Sequence, residues 1–283
     1  MSKIAWIGTG VMGASMVCHL ICPEDSITVY NRTRAKAEPL KEKGIHVADS
    51  IEEAVTDADF IFTIVGYPSD VRECFDVIFR TARPGAIAVD MTTSSPSLAL
   101  SLYQQGKQHQ IHVLDAPVSG GDSGARNGTL SIMVGGDEED YQRCLPFFEK
   151  MGKNVLLMGG SGSGQHTKMA NQIAITGAVS SVAEAIAYAR VNGLDPNRLL
   201  NAISKGAAGS WQMSNNGPKM ISGDMDPGFF IKHFIKDMRL ARESAEAQDL
   251  ELPVLNVVLS LYEQMEQEGM EELGTQAIIR EYE

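Results

Sequence analysis

Hydrophobic and polar positions in the first half of the chain follow two alternating patterns. Short runs rich in β-branched and aromatic residues, several of them apolar at every position, are separated by longer segments with helical spacing. Continuous apolar runs are typical of strands buried on both faces of a parallel sheet. Strands that alternate with helices indicate right-handed βαβ units and an open, doubly wound α/β sheet. The predicted strands are residues 3–7, 27–30, 60–65, 86–90, 113–116, 130–134 and 155–158.

The pattern changes after the run Gly-Gly-Ser-Gly-Ser-Gly at 159–164. Only helical spacing follows, interrupted by glycine and proline, and the acidic stretch 263–283 is expected to be a solvated helix face. The sequence therefore predicts two domains, an α/β domain at 1–162 and an all-helical domain at 163–283. The predicted helices of the second domain are residues 166–192, 196–205, 211–221, 232–248 and 253–268.

Composition excludes several classes of protein. The chain has 283 residues, of which 43% are hydrophobic, so it can bury a large core and is not disordered. A net charge of −12 argues against nucleic acid or an anionic membrane as the main partner. Four scattered cysteines do not form a disulfide framework, and the first predicted strand leaves no room for a signal peptide. We expect a cytoplasmic protein without a membrane partner.

A glycine-rich segment, Gly8-Thr9-Gly10-Val11-Met12-Gly13, directly follows the first predicted strand and opens a helical pattern. In this context the first glycine permits a tight turn, the second lets the backbone approach a pyrophosphate, and the third lets helix and strand pack closely. The helix N-terminus then attracts the phosphates. The alternative is an ordinary glycine turn. The segment predicts a dinucleotide-binding (Rossmann) domain in which Val11 and Met12 also contact the cofactor.

The end of the second predicted strand indicates which dinucleotide is bound. An NAD site has an acidic side chain there, which accepts a hydrogen bond from the ribose 2′-hydroxyl. This chain instead has Asn31, Arg32, Thr33 and Arg34. Because a guanidinium can bind a 2′-phosphate that a carboxylate would repel, we predict NADP as the preferred cofactor and NAD as the second choice. Alternatively, both arginines are simply solvated at the start of a helix.

Two further segments are candidates for the catalytic site. Ser119, Gly120 and Gly121 follow a predicted strand and offer a hydroxyl and backbone N–H groups to a carboxylate, although a plain turn is equally consistent. Lys168 begins a predicted helix, on the same face as Asn171 and Gln172. The helix dipole there favours the neutral form of an amine, which suits a general acid or base. The alternative is an ordinary surface lysine.

A third segment contains the neighbours Lys236 and Asp237. Adjacent helical residues do not share a face, so separate tasks are expected, with Lys236 near the cofactor and Asp237 orienting Lys168 or another donor. Two solvated helix charges are the alternative. His109 and His112 lack a neighbouring set of Cys or carboxylate ligands, so no metal site is predicted.

Together these four motifs resemble the β-hydroxyacid dehydrogenase family, which includes 3-hydroxyisobutyrate dehydrogenase and tartronate semialdehyde reductase. The resemblance covers essentially the whole chain. It implies that Lys168 is the catalytic acid and base, that Asn171 and Gln172 contact the substrate, and that Ser119, Gly120 and Gly121 bind its carboxylate. It also implies a supporting role for Asp237. The family positions that contact the cofactor correspond to Val65, Gly66, Val71, Thr93 and Lys236; at Gly66 the family usually has a different residue.

The resemblance implies reversible hydride transfer between NADP(H) and a short β-hydroxy acid or semialdehyde, as in 3-hydroxyisobutyrate dehydrogenase. Reduction of tartronate semialdehyde, succinic semialdehyde or glyoxylate is the alternative activity, and Gln172 resembles the semialdehyde reductases. 6-Phosphogluconate dehydrogenase shares the fold and the lysine but has a much longer helical domain. A non-enzymatic cofactor sensor is the remaining alternative. We expect a small carboxylate as substrate and a homodimer or homotetramer.

Overall fold

The computed structural model describes residues 2–283. The chain divides into two compact units, of which the first ends at Lys168 and the second runs from Met169 to Glu283. The first unit contains a sheet of nine strands with flanking helices. The second unit consists of helices and one isolated bridge between Phe230 and Gly274. The predicted fold class, a doubly wound α/β domain followed by a helical domain, is confirmed.

The sheet has the strand order β3-β2-β1-β4-β5-β6-β8-β7, with β9 paired to β8. Strands β1 to β6 pair in parallel, and this part of the order is that of a dinucleotide-binding sheet. Strand β8 runs antiparallel to β6 and β7 and parallel to β9, so the sheet is mixed. The strands are β1 Lys3–Ile7, β2 Ser26–Tyr30, β3 His46–Val47, β4 Phe60–Thr63, β5 Ile87–Asp90, β6 His112–Asp115, β7 Val118–Ser119, β8 Leu130–Gly135 and β9 Gly152–Gly159.

Strands β3 and β7 are absent from the sequence prediction. Each has two residues, which is too short for a run or an alternation to stand out. The strand predicted at 113–116 is observed as His112–Asp115, and the one predicted at 155–158 begins three residues earlier, at Gly152. The remaining predicted strands are observed within two residues of their expected bounds.

Helix α7 begins in the first unit and continues into the second. The helices before it are α1 Val11–Cys18, α2 Ile51–Val55, α3 Pro68–Thr81, α4 Pro96–His109, α5 Gly121–Asn127 and α6 Glu138–Met151. From α7 onward they are α7 Ser163–Val191, α8 Pro196–Ile203, α9 Trp211–Ser222, α10 Ile231–Glu246 and α11 Pro253–Gln267. Three 3₁₀ helices span Arg34–Lys36, Glu38–Lys43 and Thr275–Tyr282.

Each unit has its own apolar core. In the first unit, buried side chains form two clusters, and in one of them Trp6 stacks on Phe62 with ring centroids 5.6 Å apart. In the second unit, the rings of Phe234 and Tyr262 pack edge to face, with centroids 5.2 Å apart, within a cluster formed by the helices. Both cores therefore contain large aromatic contacts that stabilise the units beyond simple burial.

The expectation for the acidic C-terminal stretch is wrong. Helix α11 ends at Gln267, and the 3₁₀ helix Thr275–Tyr282 buries Ile278 and Ile279 completely in the core of the second unit. The many glutamates of this stretch suggested a solvated face, but a short apolar segment lies among them. Burial of that segment is favourable because it removes aliphatic surface from water.

Helix α7 is, within residues 2–283, the one helix long and apolar enough to cross a membrane by length and composition. Its most apolar window has a mean hydropathy of 1.2, and 44% of that window is buried inside the protein. The core helix of a water-soluble protein meets the same criteria, so this property alone does not indicate a membrane span.

A buried carboxyl group lies at the end of strand β5. Asp90 is 3% exposed, and its Oδ1 accepts hydrogen bonds from Thr92 N at 3.0 Å and Thr63 Oγ1 at 3.2 Å. Burial raises the pKa of Asp90 to about 7, because the charged form loses its hydration. The folded chain therefore holds a proton that the unfolded chain releases near pH 4. Stability contributed by this group falls as the pH rises from about 4 to about 7.

We predict that Asp90→Asn makes the unfolding temperature less dependent on pH between 6 and 8. The introduced amide oxygen can accept the same two hydrogen bonds, and the cost of burying a charge at pH 8 disappears. Thermal unfolding of the cofactor-free protein at both pH values measures the effect. At pH 8 the variant should be as stable as the parent protein or more stable.

Asp76→Asn is the matched control, because Asp76 is exposed on α3. It should leave the pH dependence of the unfolding temperature unchanged. An Asp90→Asn variant that is destabilised equally at pH 6 and pH 8 would show that the hydrogen bonds, and not the buried charge, determine the contribution of Asp90.

Candidate functional site

The glycine-rich loop connects β1 to α1. Gly8 has φ +99°, and a Cβ there would lie 2.1 Å from Ile64 O. A Cβ at Gly13 would lie 2.1 Å from Gly8 O, so the helix and the loop approach too closely for any side chain. A Cβ at Gly10 would meet no protein atom within 4 Å. Two of the three glycines are thus required by the protein itself, whereas the exposed backbone at Gly10 can be approached from outside.

A side chain from the end of β2 holds this loop. Asn31 Oδ1 accepts a hydrogen bond from Thr9 N at 2.8 Å, and Asn31 Nδ2 donates to Thr33 O at 2.9 Å. Thr9 is 2% exposed, and its Oγ1 has no hydrogen-bond partner among residues 2–283. The open backbone at Gly10 and this polar atom fit a loop that binds the phosphates of a dinucleotide.

The two arginines after β2 have different surroundings. Arg32 Nη1 lies 3.1 Å from Asp70 Oδ1, and the Arg32 side chain is 82% exposed. Arg34 contacts Glu38, with 2.6 Å between Nε and Oε1, and also Asp49. Because two carboxylates of the protein engage Arg34, Arg32 is the better candidate for binding a 2′-phosphate. Exposed ion pairs are weak, so the contact with Asp70 can be exchanged at little cost.

The other positions predicted to contact the cofactor are distributed after β4 and β5. Val65 and Thr93 are half-buried, and Val65 N donates to Thr92 Oγ1 at 3.0 Å. A Cβ at Gly66 would lie 3.1 Å from an oxygen of Asp70. Val71 is completely buried in the apolar core, so its side chain contacts protein atoms. Val65 and Thr93 thus have side-chain surface that a cofactor could contact, whereas the side chain of Val71 has none.

The predicted carboxylate-binding segment lies just beyond β7. Ser119 is half-buried and pairs with Ser131 of β8. Gly120 and Gly121 have φ angles of +135° and +62°, which side chains rarely allow. This conformation turns the backbone sharply after Ser119, and consecutive N–H groups in such a turn can bind an anion.

Asp115, at the end of β6, anchors the start of α7. Its Oδ1 accepts a hydrogen bond from Gly162 N at 2.7 Å, and its Oδ2 accepts one from Gln165 N at 2.8 Å. Asp115 is 2% exposed. Burial raises its pKa to about 6, although the backbone hydrogen bonds from Gly162 and Gln165 oppose that rise. The carboxylate satisfies N–H groups that a helix terminus would otherwise leave unpaired.

The side chain of Gln165 holds the same helical turn to the loop after β5. It is completely buried; its Oε1 accepts from Ser94 N at 2.9 Å, and its Nε2 donates to Thr92 O at 2.7 Å. Neither Gln165 nor the role of Asp115 is predicted from the sequence. The partners of Gln165 are backbone groups 71 and 73 residues away, so no local pattern could have revealed them.

Lys168 lies one turn after Gln165 on α7 and is 6% exposed. The alternative of an ordinary surface lysine is therefore excluded. Asn171, one turn further along the helix, is half-buried, and Gln172 is 1% exposed. The helix thus carries an ammonium group and two amides on consecutive turns, each with restricted access to water.

Lys236 and Asp237 lie on α10, within the second unit. Asp237 is 1% exposed, which excludes the alternative of two solvated charges. Lys236 Nζ lies 3.1 Å from Asp237 Oδ1, so the two neighbours form an ion pair. Asp237 Oδ2 accepts a hydrogen bond from Gln172 Nε2 at 2.7 Å, and Gln172 Oε1 accepts one from Asn171 Nδ2 at 2.8 Å. The structure thereby joins four of the predicted residues.

Comparison with known protein families agrees with this arrangement over nearly the whole chain. Residues 3–160 match the family model described as the NAD binding domain of 6-phosphogluconate dehydrogenase. Residues 162–282 match the model described as NAD-binding of NADP-dependent 3-hydroxyisobutyrate dehydrogenase. The chain belongs to the β-hydroxyacid dehydrogenase family. It is an NAD(P)-dependent oxidoreductase that acts on CH–OH groups, and the alternative of a non-enzymatic cofactor sensor is unsupported.

Relatives of this enzyme carry names from the same family. One relative is an Arabidopsis thaliana protein named probable 3-hydroxyisobutyrate dehydrogenase-like 1, mitochondrial. The two sequences are 45% identical, and the match covers 98% of this chain and 84% of the relative. The enzyme is 35% identical to the Escherichia coli (strain K12) 2-hydroxy-3-oxopropionate reductase, over 98% of this chain and 96% of the relative.

A solved structure of 3-hydroxyisobutyrate dehydrogenase from Mycobacterium tuberculosis, described with L-serine, superposes on the enzyme with a TM-score of 0.92. That protein is 29% identical, with 99% of each chain covered. A structure described as Psf3 in complex with NADP+ and 2-OPP superposes with a TM-score of 0.91 at 25% identity, covering 99% of this chain and all of the other. The predicted family is therefore confirmed.

We predict that Gly13→Ala lowers the stability of the protein, whereas Gly10→Ala lowers only its affinity for the cofactor. Gly13→Ala should lower the unfolding temperature by ~5 °C or more, because the new methyl group overlaps Gly8 O. Gly10→Ala should unfold at the parent temperature but bind NADPH roughly tenfold or more weakly, because the methyl group obstructs the approach to the backbone. Thermal unfolding without cofactor and NADPH titration by fluorescence measure the two effects. A Gly10→Ala variant with parent affinity would contradict the assignment of this loop to the cofactor.

Proposed function

We propose that the enzyme catalyses the reversible, NADP(H)-linked oxidation of a short β-hydroxy acid to the corresponding semialdehyde. The observation that carries this proposal is the burial of Lys168, at 6% exposure, on a helix whose first turn is fixed by Asp115 and Gln165. Burial and a fixed backbone are what a proton-transferring lysine requires, since its ammonium must be positioned and shielded from bulk water.

The cofactor is held by the first unit. The backbone at Gly10 and the first turn of α1, which carries Val11 and Met12, would bind the pyrophosphate, while Gly8 and Gly13 allow the tight turn and the close packing that the loop requires. Val65, Gly66 and Thr93 of the same unit would provide additional contacts. The nicotinamide bound there would supply the hydride acceptor for oxidation and the hydride donor for reduction.

Lys168 transfers the proton that accompanies the hydride. In the oxidation direction its neutral amine accepts the proton of the substrate hydroxyl. In the reduction direction its ammonium donates that proton to the oxygen as negative charge develops there. Asn171, one turn along α7, hydrogen-bonds the same oxygen. Stabilisation of the developing charge is the main contribution of these side chains.

The substrate carboxylate is bound by the segment Ser119–Gly121. Ser119 supplies a hydroxyl donor, and the backbone N–H groups of Gly120 and Gly121 follow it in a conformation that glycine favours. Binding at the carboxylate fixes the position of the reacting carbon relative to Lys168, and this fixed orientation lowers the barrier to reaction. The segment contains no cation, so it selects small carboxylates by hydrogen bonding and shape.

The relatives indicate which short acids to test. Their names specify 3-hydroxyisobutyrate, 2-hydroxy-3-oxopropionate (tartronate semialdehyde) and L-serine, all of them three-carbon or branched three-carbon acids. We propose 3-hydroxyisobutyrate as the reference substrate. Tartronate semialdehyde, succinic semialdehyde and glyoxylate are the alternatives to test in the reduction direction.

We further propose a homodimer or homotetramer located in the cytoplasm, without a nucleic-acid or membrane partner. Large apolar side chains exposed on the second unit support self-association, since a partner would remove their surface from water. They are Tyr188, Val191, Leu194, Val254 and Val257. The net charge of −12 and the four free cysteines support a reducing compartment and a partner other than a polyanion.

We predict that Lys168→Ala lowers kcat by ~10²–10⁴ while the NADPH dissociation constant changes little, because the variant loses the group that transfers the proton. The measurement is a steady-state panel with NADP(H) and NAD(H), each paired with 3-hydroxyisobutyrate, L-serine, tartronate semialdehyde, succinic semialdehyde and glyoxylate. NADPH affinity is determined separately by fluorescence titration. A variant with near-parent turnover would refute the role of Lys168. Absence of turnover with every substrate in the parent protein would refute the proposed substrate class.

We predict that Arg32→Asp raises the KM for NADPH by roughly tenfold or more and changes the KM for NADH much less. The substitution removes a guanidinium that can bind the 2′-phosphate and adds a charge that repels it. Binding of 2′,5′-ADP and of ADP, followed by calorimetry, provides a measurement independent of turnover. Arg34→Asp is the matched control, because Glu38 and Asp49 already engage that side chain. Equal effects of Arg32→Asp on both cofactors would contradict the preference for NADP.

A further inference from the structure

Four side chains of the second unit form a hydrogen-bonded series. Asn171 Nδ2 donates to Gln172 Oε1 at 2.8 Å, and Gln172 Nε2 donates to Asp237 Oδ2 at 2.7 Å. Lys236 Nζ lies 3.1 Å from the other oxygen, Asp237 Oδ1. Gln172 and Asp237 are each 1% exposed, so water does not compete for these hydrogen bonds. We refer to Asn171, Gln172 and Asp237 as the amide relay.

The charge at one end of the amide relay determines the direction of every hydrogen bond in it. An ionised carboxylate can only accept hydrogen bonds, so Gln172 must direct its NH₂ group toward Asp237. The carbonyl oxygen of Gln172 then points the other way, toward Asn171. Because a carbonyl oxygen also only accepts, Asn171 must donate through Nδ2. Lys236 Nζ lies 3.1 Å from Oδ1 of the same carboxylate, so Asp237 contacts donors through both of its oxygens.

The direction matters at the far end of the relay. An amide has a donor side and an acceptor side of nearly the same shape, and a free Asn171 could present either one. One N–H of Asn171 Nδ2 is committed to Gln172, which leaves its second N–H as a donor and its Oδ1 as an acceptor, each in a fixed position. Asn171 lies one turn after Lys168 on α7, so its amide and the Lys168 side chain lie on the same face of the helix. The second N–H of Asn171 then stays available to the substrate oxygen, where negative charge develops during reduction.

We propose that Gln172 and Asp237 are positioning residues that hold the amide of Asn171 in a single orientation during catalysis. In this assignment Gln172 acts through Asn171 and does not bind substrate directly, because both ends of its amide are engaged within the protein. The assignment rests on the proposed function for its catalytic consequence. The orientation of Asn171 itself is a property of the protein without cofactor or substrate.

The experiment removes the hydrogen bond between positions 172 and 237 and then re-forms it in the opposite direction, while Asn171 donates to position 172 in both variants. Gln172→Glu places a second carboxylate against Asp237, with no proton between them, and should lower kcat by ~10–100-fold through misplacement of Asn171. Combining Gln172→Glu with Asp237→Asn gives the introduced carboxylate a donor at position 237, while it still accepts from Asn171. The double variant should recover kcat to within roughly fivefold of the parent protein. In every variant the KM for NADP⁺ should stay near the parent value.

The probes are 3-hydroxyisobutyrate and NADP⁺ for turnover, and the side-chain amide protons of Asn171 in the cofactor-free protein. The latter are observed by NMR and assigned by their loss in Asn171→Asp. One of these protons should exchange slowly in the parent protein and in the double variant, and rapidly in Gln172→Leu, which removes the acceptor. Gln248→Glu is the matched control: it makes the same substitution on an exposed side chain and should leave kcat within about twofold.

The outcomes separate this proposal from the proposed function. The positioning role is wrong if the loss of kcat in Gln172→Glu is fully explained by a lower unfolding temperature. It is also wrong if the double variant regains the parent stability without regaining kcat. Rapid exchange of both Asn171 protons in the parent protein would also overturn it, whatever the activity. A parent protein that shows slow exchange and no turnover with 3-hydroxyisobutyrate or the other panel substrates would support the relay and refute the proposed function.

Discussion

Two hydrogen bonds to the carboxylate of Asp115 determine where the longest helix of the enzyme begins. They come from the backbone of Gly162 and Gln165, 47 and 50 residues later in the chain. A helix start has unpaired N–H groups and a partial positive charge, and a carboxylate compensates both. Lys168 lies one turn further on, so its location in the first unit depends on this contact. The amide side chain of Gln165 adds a second fixed point, at the loop after β5.

This arrangement has an electrostatic cost. Asp90 and Asp115 are register partners on the adjacent strands β5 and β6, and both are nearly excluded from water. Burial raises the pKa of Asp90 to about 7 and that of Asp115 to about 6. A fold optimised for stability alone would not place two carboxyl groups side by side in its interior. Perturbed acids of this kind concentrate at functional sites, and these two lie at the carboxyl edge of the sheet, where α/β enzymes bind their ligands.

Features that depend on local spacing could be predicted from the sequence. The strands of the parallel sheet follow from continuous apolar runs, and the glycine-rich loop follows from its position between a strand and a helix. Helical periodicity also places Lys168, Asn171 and Gln172 on one side of α7, and their shared role at the site stays a prediction. The loop residue Asn31 was predicted to contact the cofactor, and its hydrogen bonds to Thr9 and Thr33 show that it also shapes the loop.

Features that depend on contacts between distant segments could not be predicted. Nothing near Gln165 indicates that its amide binds backbone groups of the loop after β5, and nothing near Gln172 indicates an acceptor 65 residues later. The charge pattern of the last segment was misleading for the same reason, because Ile278 and Ile279 are recruited by a core that other helices supply. Periodicity describes which side of an element is apolar, but the partner of a single polar atom is determined by the tertiary fold.

The tether between Asn31 and the glycine-rich loop constrains attempts to redesign the enzyme for a different coenzyme. The usual exchange at the end of β2 introduces an aspartate, which could still accept from Thr9 N but could no longer donate to Thr33 O. Such an exchange would alter loop shape and nucleotide selectivity together, and the two effects would be confused in any assay. The two effects can be separated if Asn31 is kept, so that the loop retains its hydrogen bonds, and the exposed neighbour Arg32 is substituted instead.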